Sequence, residues 1–140
     1  MIQRIQTVYL TLAAVLLSMI FAFDRVWTGT TAAEFSWFVP ATAGIFGLAA
    51  VGSITSIFLF KDQKRQRKVV VALQFVTLVG LIVLFTAHYL AGNMPSVTSN
   101  ASFGEWAVLG SPAVAYLMFL MARRGIDKDI KLIKSMDRLR

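Results

Sequence analysis

Four long apolar runs divide the chain: Ile5 to Phe23, Phe38 to Phe60, Val69 to Ala91 and Trp106 to Ala122. A bilayer hydrocarbon core of about 30 Å takes about 20 helical residues to cross, so each run has the length of one passage. Every Lys, Arg, Asp and Glu lies outside the runs. None of the runs alternates apolar and polar residues with a period of two, as lipid-facing barrel strands would. The pattern predicts an all-α membrane protein with four transmembrane helices, followed by a C-terminal amphipathic helix.

Composition closes off the other classes. Only 15% of the residues are charged and mean hydropathy is +0.69, which excludes both a water-soluble globule and a disordered chain. With no cysteine there is no disulfide, no thiol nucleophile and no Cys-ligated metal.

Charge predicts orientation. Arg4 precedes the first run, Lys61, Lys64, Arg65, Arg67 and Lys68 join the second to the third, and Arg123, Arg124, Lys128, Lys131, Lys134, Arg138 and Arg140 follow the fourth. These are 13 of the 14 basic residues, and only Arg25 falls on the other face, beside Asp24, Glu34 and Glu105. Short Lys/Arg-rich segments stay cytoplasmic, so both termini are expected inside, in a bacterial cytoplasmic membrane. Trp27, Trp37, Trp106 and Tyr89 gather at the opposite ends of the runs, where indole and phenol rings favour the headgroup layer. A cleaved signal peptide fits the N-terminus poorly, because the run is too long and ends in Phe21-Ala22-Phe23-Asp24 with no A-x-A site.

The outer connections, Asp24 to Trp37 and Gly92 to Glu105, look too short and too rich in small residues to fold alone. Asn93-Met94-Pro95-Ser96 is expected to turn the chain. Pro40 and Pro112 are expected in the first two turns of their helices, where proline is best tolerated. Helices in lipid associate through small residues that allow close backbone approach. The candidates are Ala14, Ser18 and Ala22; Ala43 and Gly47; Ala49 and Ser53; Gly52 and Ser56; and Ala107, Ser111 and Ala115.

Polar groups inside a span are costly and so are functional candidates. Gln74, Thr77, Gly80 and His88 fall within one arc of about 120° on the third helix, a candidate intramembrane polar face. Haem ligation fails there. No second His exists, and Met118 is offset from His88 by roughly 13 Å along the membrane normal. No Asp or Glu lies within the runs, so a carboxylate proton relay, a hydrolytic pair and a zinc site all lack their ligands. No cofactor and no catalysis are expected.

The tail from Arg123 to Arg140 puts Ile126, Ile130, Leu132, Ile133, Met136 and Leu139 on one side of a helical wheel and Lys128, Lys131, Lys134 and Arg138 on the other. Such a helix either lies among inner headgroups, where anionic lipid attracts Lys and Arg, or docks its isoleucines in a protein groove. No aromatic residue interleaves the tail, so nucleic acid is not expected. Gly125 is expected to separate tail from span, giving a bundle over 1–122 and a cytoplasmic tail over 123–140.

The opening MIQRIQTVYL, the stretch IFLFKDQKRQ and the closing ARRGIDKDIKLIKSMDRLR resemble a family of small four-helix membrane proteins of Bacteroidota known as a domain of unknown function. The resemblance spans nearly the whole chain. It brings no activity, cofactor or catalytic residue, but it implies a cytoplasmic-membrane location and directs attention to the two cytoplasmic ends. The expected function is a non-catalytic accessory or scaffold subunit that docks a larger membrane complex through its basic loop and tail. The alternative is a binder or carrier of a small apolar or lipidic ligand.

Overall fold

The computed structural model of the chain describes residues 2–23, 27, 29–92, 94 and 103–137. Every regular element among them is helical. The order is α1 (Ile2–Met19) with a 3-10 turn (Ile20–Ala22), a short α2 (Thr30–Glu34), α3 (Phe38–Phe58) with a second 3-10 turn (Leu59–Lys61), α4 (Gln63–Leu90) and α5 (Phe103–Asp137). Three stretches, Ile5–Ala22, Phe38–Lys61 and Gln63–Leu90, are long and apolar enough to cross a membrane.

The long helices close a ring in which α1 and α4 each pack against both α3 and α5. Neighbours run antiparallel. Ser53 meets Leu10 while Gly47 meets Phe21, and Gln66 meets Ser56 while Gly80 meets Phe46. The start of α1, the α3–α4 junction and the end of α5 therefore share one end, which is basic. The other end is aromatic: Trp27 stacks on Phe21 at 5.4 Å, and the rings of Phe38 and His88 meet in a T at 5.6 Å.

The bundle is built for an apolar surrounding. Leu48, Val51, Phe58, Phe75 and Ile82 are exposed, whereas Gln6, Ser53, Ser56, Gln66, Gln74 and Thr77 are buried. In water an apolar exterior on this scale would aggregate. In lipid it is the ordinary surface, and the polar groups gain by facing each other. Phe38, Phe46, Phe119, Leu10, Leu17, Leu84 and Ile126 fill the centre.

Small residues set the helix spacing. A Cβ at Gly80 would sit 2.7 Å from Ile45 Cγ2 and 2.8 Å from Phe46 Cε1, so α3 and α4 approach closely there. One at Gly52 would lie 2.5 Å from a Leu73 methyl. Ala14, Ser56, Ser111 and Ala115 are buried, and Ala43, Gly47 and Ala107 are half-buried. The expected first-helix face does not hold together. Ser18 and Ala22 are exposed, and Ser18 Oγ donates to Ala14 O of its own helix at 2.8 Å.

Helix ends differ from expectation in three places. The basic segment after Lys61 is not a loop: Asp62 caps α4, its carboxylate accepting from Arg65 N at 3.1 Å, so Lys64, Arg65, Arg67 and Lys68 lie on the first turns of the helix. Helix α5 starts at Phe103, which leaves Pro112 well inside it. Nor does Gly125 break α5, which runs through it without interruption. At the end of α4, Gly92 takes a φ of 65° and its N–H bonds to Tyr89 O, a left-handed stop that only glycine enters freely. Apart from Met94, the turn expected over Asn93 to Ser96 lies outside the described residues.

Candidate functional site

Beneath the basic end lies a layer of buried polar contacts that ties all four long helices together. Gln6 Nε2 on α1 donates to Asp129 Oδ2 on α5 at 2.6 Å. Ser53 Oγ on α3 donates to Leu10 O on α1 at 2.7 Å, and Gln66 Nε2 on α4 donates to Ser56 O on α3 at 3.1 Å. On the flank, Arg67 Nε of α4 reaches Asp127 Oδ1 of α5 at 2.5 Å, and Arg123 Nε stands 4.0 Å from the other carboxylate oxygen. A buried side-chain hydrogen bond in apolar surroundings has no water to replace it, so these contacts fix helix register.

This layer changes the reading of the tail. Ile126, expected on a free apolar side, is fully buried in the core, and Ile130 packs against it. The reason is α1, whose first turns lie against α5. Gln6 fits so closely over Gly125 that a Cβ there would meet Gln6 Cγ at 2.9 Å. The apolar stripe thus has an intramolecular partner as far as Asp129. Beyond it, residues 131–136 are all exposed, with Leu132, Ile133 and Met136 continuing the apolar side and Lys131 and Lys134 beside them. Arg124 and Lys128 are exposed as well, and Arg138 and Arg140 lie outside the described residues.

Two recesses open between the start of α4 and the end of α5. One, of about 660 Å³, is lined by Phe60, Lys61, Asp62, Gln63, Lys64, Ile130, Ile133 and Lys134. The other, of about 580 Å³, is bounded by Lys64, Arg67, Lys68, Asp127, Ile130, Lys131 and Lys134. Among the described residues, Asp62 is engaged by Arg65 at 3.0 Å and Asp127 by Arg67, while Lys61, Lys64, Lys68, Lys131 and Lys134 have no acidic partner. Both recesses combine lysines with Ile130, the first adding Phe60 and Ile133, and a cationic, partly apolar lining is the complement of an anionic amphiphile or an acidic, partly apolar peptide.

The polar face expected on the third helix is satisfied except at one point. Thr77 Oγ1 donates to Leu73 O at 2.8 Å, and His88 Nδ1 bonds to Leu84 O at 2.9 Å, so both are occupied by their own helix. Gly80 serves close packing. Gln74 is different: it is 4% exposed, and its Nε2 has no hydrogen-bond partner. It borders a recess of about 70 Å³ together with Phe75, Leu78, Tyr116 and Arg123. The hydroxyls of Thr42 and Ser111 are also buried without partners. Among the described residues, no three His, Cys, Asp or Glu side chains gather as metal ligands.

Sequence reasoning missed Gln6, Asp129, Gln66 and Tyr116. Gln6 and Gln66 carried a usable signal, since each is a polar residue on the apolar side of its helix. The pairing of Gln6 with Asp129 carried none.

Residues 2–139 match the family model described as Domain of unknown function (DUF4293). No curated protein and no solved structure matches the chain.

Proposed function

The chain belongs to the DUF4293 family, a domain of unknown function, and from its geometry we propose a non-catalytic integral membrane protein that docks onto a larger assembly at the cytoplasmic membrane. In this reading it crosses the bilayer four times with both termini cytoplasmic. Support for the fourth crossing comes from packing: α5 lies between α1 and α4, and its apolar part from Trp106 to Ala122 reaches the depth of theirs. Support for the orientation is the gathering of Lys and Arg at one end and Trp at the other.

The observation that carries the docking reading is the α5 extension. A helix continuous with the bundle emerges past the start of α1 with Leu132, Ile133 and Met136 bare. An apolar stripe held on a rigid helix is a preorganised docking surface. Purification from native membranes in mild detergent, followed by mass spectrometry, tests it. The expected result is a stoichiometric larger membrane protein that is lost with Leu132→Ser plus Met136→Ser. Recovery of a lone monomer or homodimer overturns it.

A second reading, a binder of a lipidic ligand, is favoured by the unpartnered Gln74 amide. A buried N–H group without an acceptor costs about 1–3 kcal/mol, so a ligand oxygen supplied from the bilayer would stabilise it.

A further inference from the structure

The seam between α4 and α5 carries a graded set of side chains on one line. On α4, Lys64, Arg67, Lys68, Gln74, Phe75 and Leu78 fall within an arc of about 120°. On α5, Tyr116, Arg123, Asp127, Ile130, Lys131 and Lys134 fall within about 100°. The basic recess of about 580 Å³ and the small recess of about 70 Å³ both open on this seam. They are joined through Asp127, which Arg67 borders from the first and Arg123 from the second.

The chemistry changes with depth. At the mouth stand the lysines without acidic partners. About 9 Å further in, six residues along α4 from Lys68, Gln74 lines the small recess together with Arg123 and Tyr116. All three side chains carry N–H or O–H donors, and no carboxylate lines the recess. Beyond them the rim is apolar, with Phe75 66% and Leu78 39% exposed. Charge, then donors, then hydrocarbon is the order of groups along a phospholipid from phosphate through ester to acyl chain.

We propose that this seam seats one anionic phospholipid, its phosphate among Lys64, Lys68 and Lys131, an ester carbonyl on the Gln74 amide and Arg123, and its chains along Phe75 and Leu78. The proposal deepens the lipid-binding reading and rests on the basic end lying at the inner headgroup layer. An acidic peptide would fill the mouth but would leave the deeper donors empty. Water would fill the small recess but would make no use of the cationic mouth.

The full-length protein, delipidated in detergent, is titrated with phosphatidylglycerol or phosphatidylethanolamine, with bound lipid read by native mass spectrometry and melting temperature read in parallel. The wild type is expected to hold one phosphatidylglycerol and to melt higher with it. Lys64→Gln and Lys131→Gln each weaken retention about fivefold, since a lysine near anionic lipid contributes about 1 kcal/mol. Gln74→Leu without lipid melts at or above the wild-type temperature, because an unpartnered polar group has been removed, yet it loses most of the lipid-induced rise. Equal retention of the two lipids overturns the proposal. So does a Gln74→Leu variant that keeps the full lipid response, or one that is destabilised equally with and without lipid. Reporter fusions to the two ends test the orientation separately: termini found outside overturn that reading, while a lipid response that Gln74→Leu leaves intact, with termini inside, overturns the seat alone.

Discussion

The amide of Gln6 and the carboxylate of Asp129 meet at 2.6 Å although 123 positions separate them in the chain. The contact joins the first turns of α1 to the point where α5 leaves the bundle. Asp129 is 7% exposed, so Gln6 is what offsets the cost of burying that carboxylate. Tail geometry is therefore set from the N-terminus.

Gln6→Leu leaves Asp129 buried without its donor and is expected to destabilise the protein by about 2–3 kcal/mol, the scale of a lost hydrogen bond to a charged group. Adding Asp129→Leu recovers most of the loss, because an apolar pair of similar size replaces the polar one. A double-mutant cycle in thermal unfolding, carried out in detergent, measures the coupling, and independent additive effects would contradict it.

Gly80 and Gly44 form a matched comparison on facing helices. At Gly80 an added methyl meets Ile45 and Phe46, whereas at Gly44 nothing lies within 4 Å. Gly80→Ala is expected to cost about 1–3 kcal/mol through overpacking. Gly44→Ala gains up to about 1 kcal/mol in helix propensity. Melting temperatures should move in opposite directions.

Asp62 starts α4 by capping it, and Arg65 is both its backbone donor and its ion partner. Asp62→Ala is expected to cost about 1 kcal/mol, with fraying of the turn that bears Lys64 and Arg65, while Asp62→Asn keeps most of the cap. Hydrogen exchange at Lys64 and Arg65 reports the fraying directly.

Leu132→Ser plus Met136→Ser alters only exposed positions, so melting is expected to shift by less than about 0.5 kcal/mol in stability while companion proteins are lost on purification. A large loss of stability would mean that these residues already pack within the chain.

The helices were legible because long apolar runs leave the chain few alternatives, and three stretches of the length required are present. Their ends were harder to read. Lys and Arg are good helix formers, so once Asp62 supplied a cap the basic segment joined α4 rather than forming a loop. Gly125 reads as a breaker only when the close approach of Gln6 is unknown. Periodicity showed that Ile126 and Ile130 face one way, but not that the core of the bundle extends far enough to take them in. Thr77 and His88 stood out as polar residues in an apolar run, yet each is bonded to a carbonyl one turn back, a local solution open to any helix. Gln74 has no such outlet.

An uninterrupted helix of 35 residues is about 52 Å long and acts as a strut. Its middle is wedged between two neighbours by Ala115, Phe119 and Ala122, and its tip stands free. Past Pro112, its one internal proline, the wedged stretch and the free tip form one continuous rod. A force applied at the tip would therefore be passed along the helix to its packing against α1 and α4 deep within the bundle.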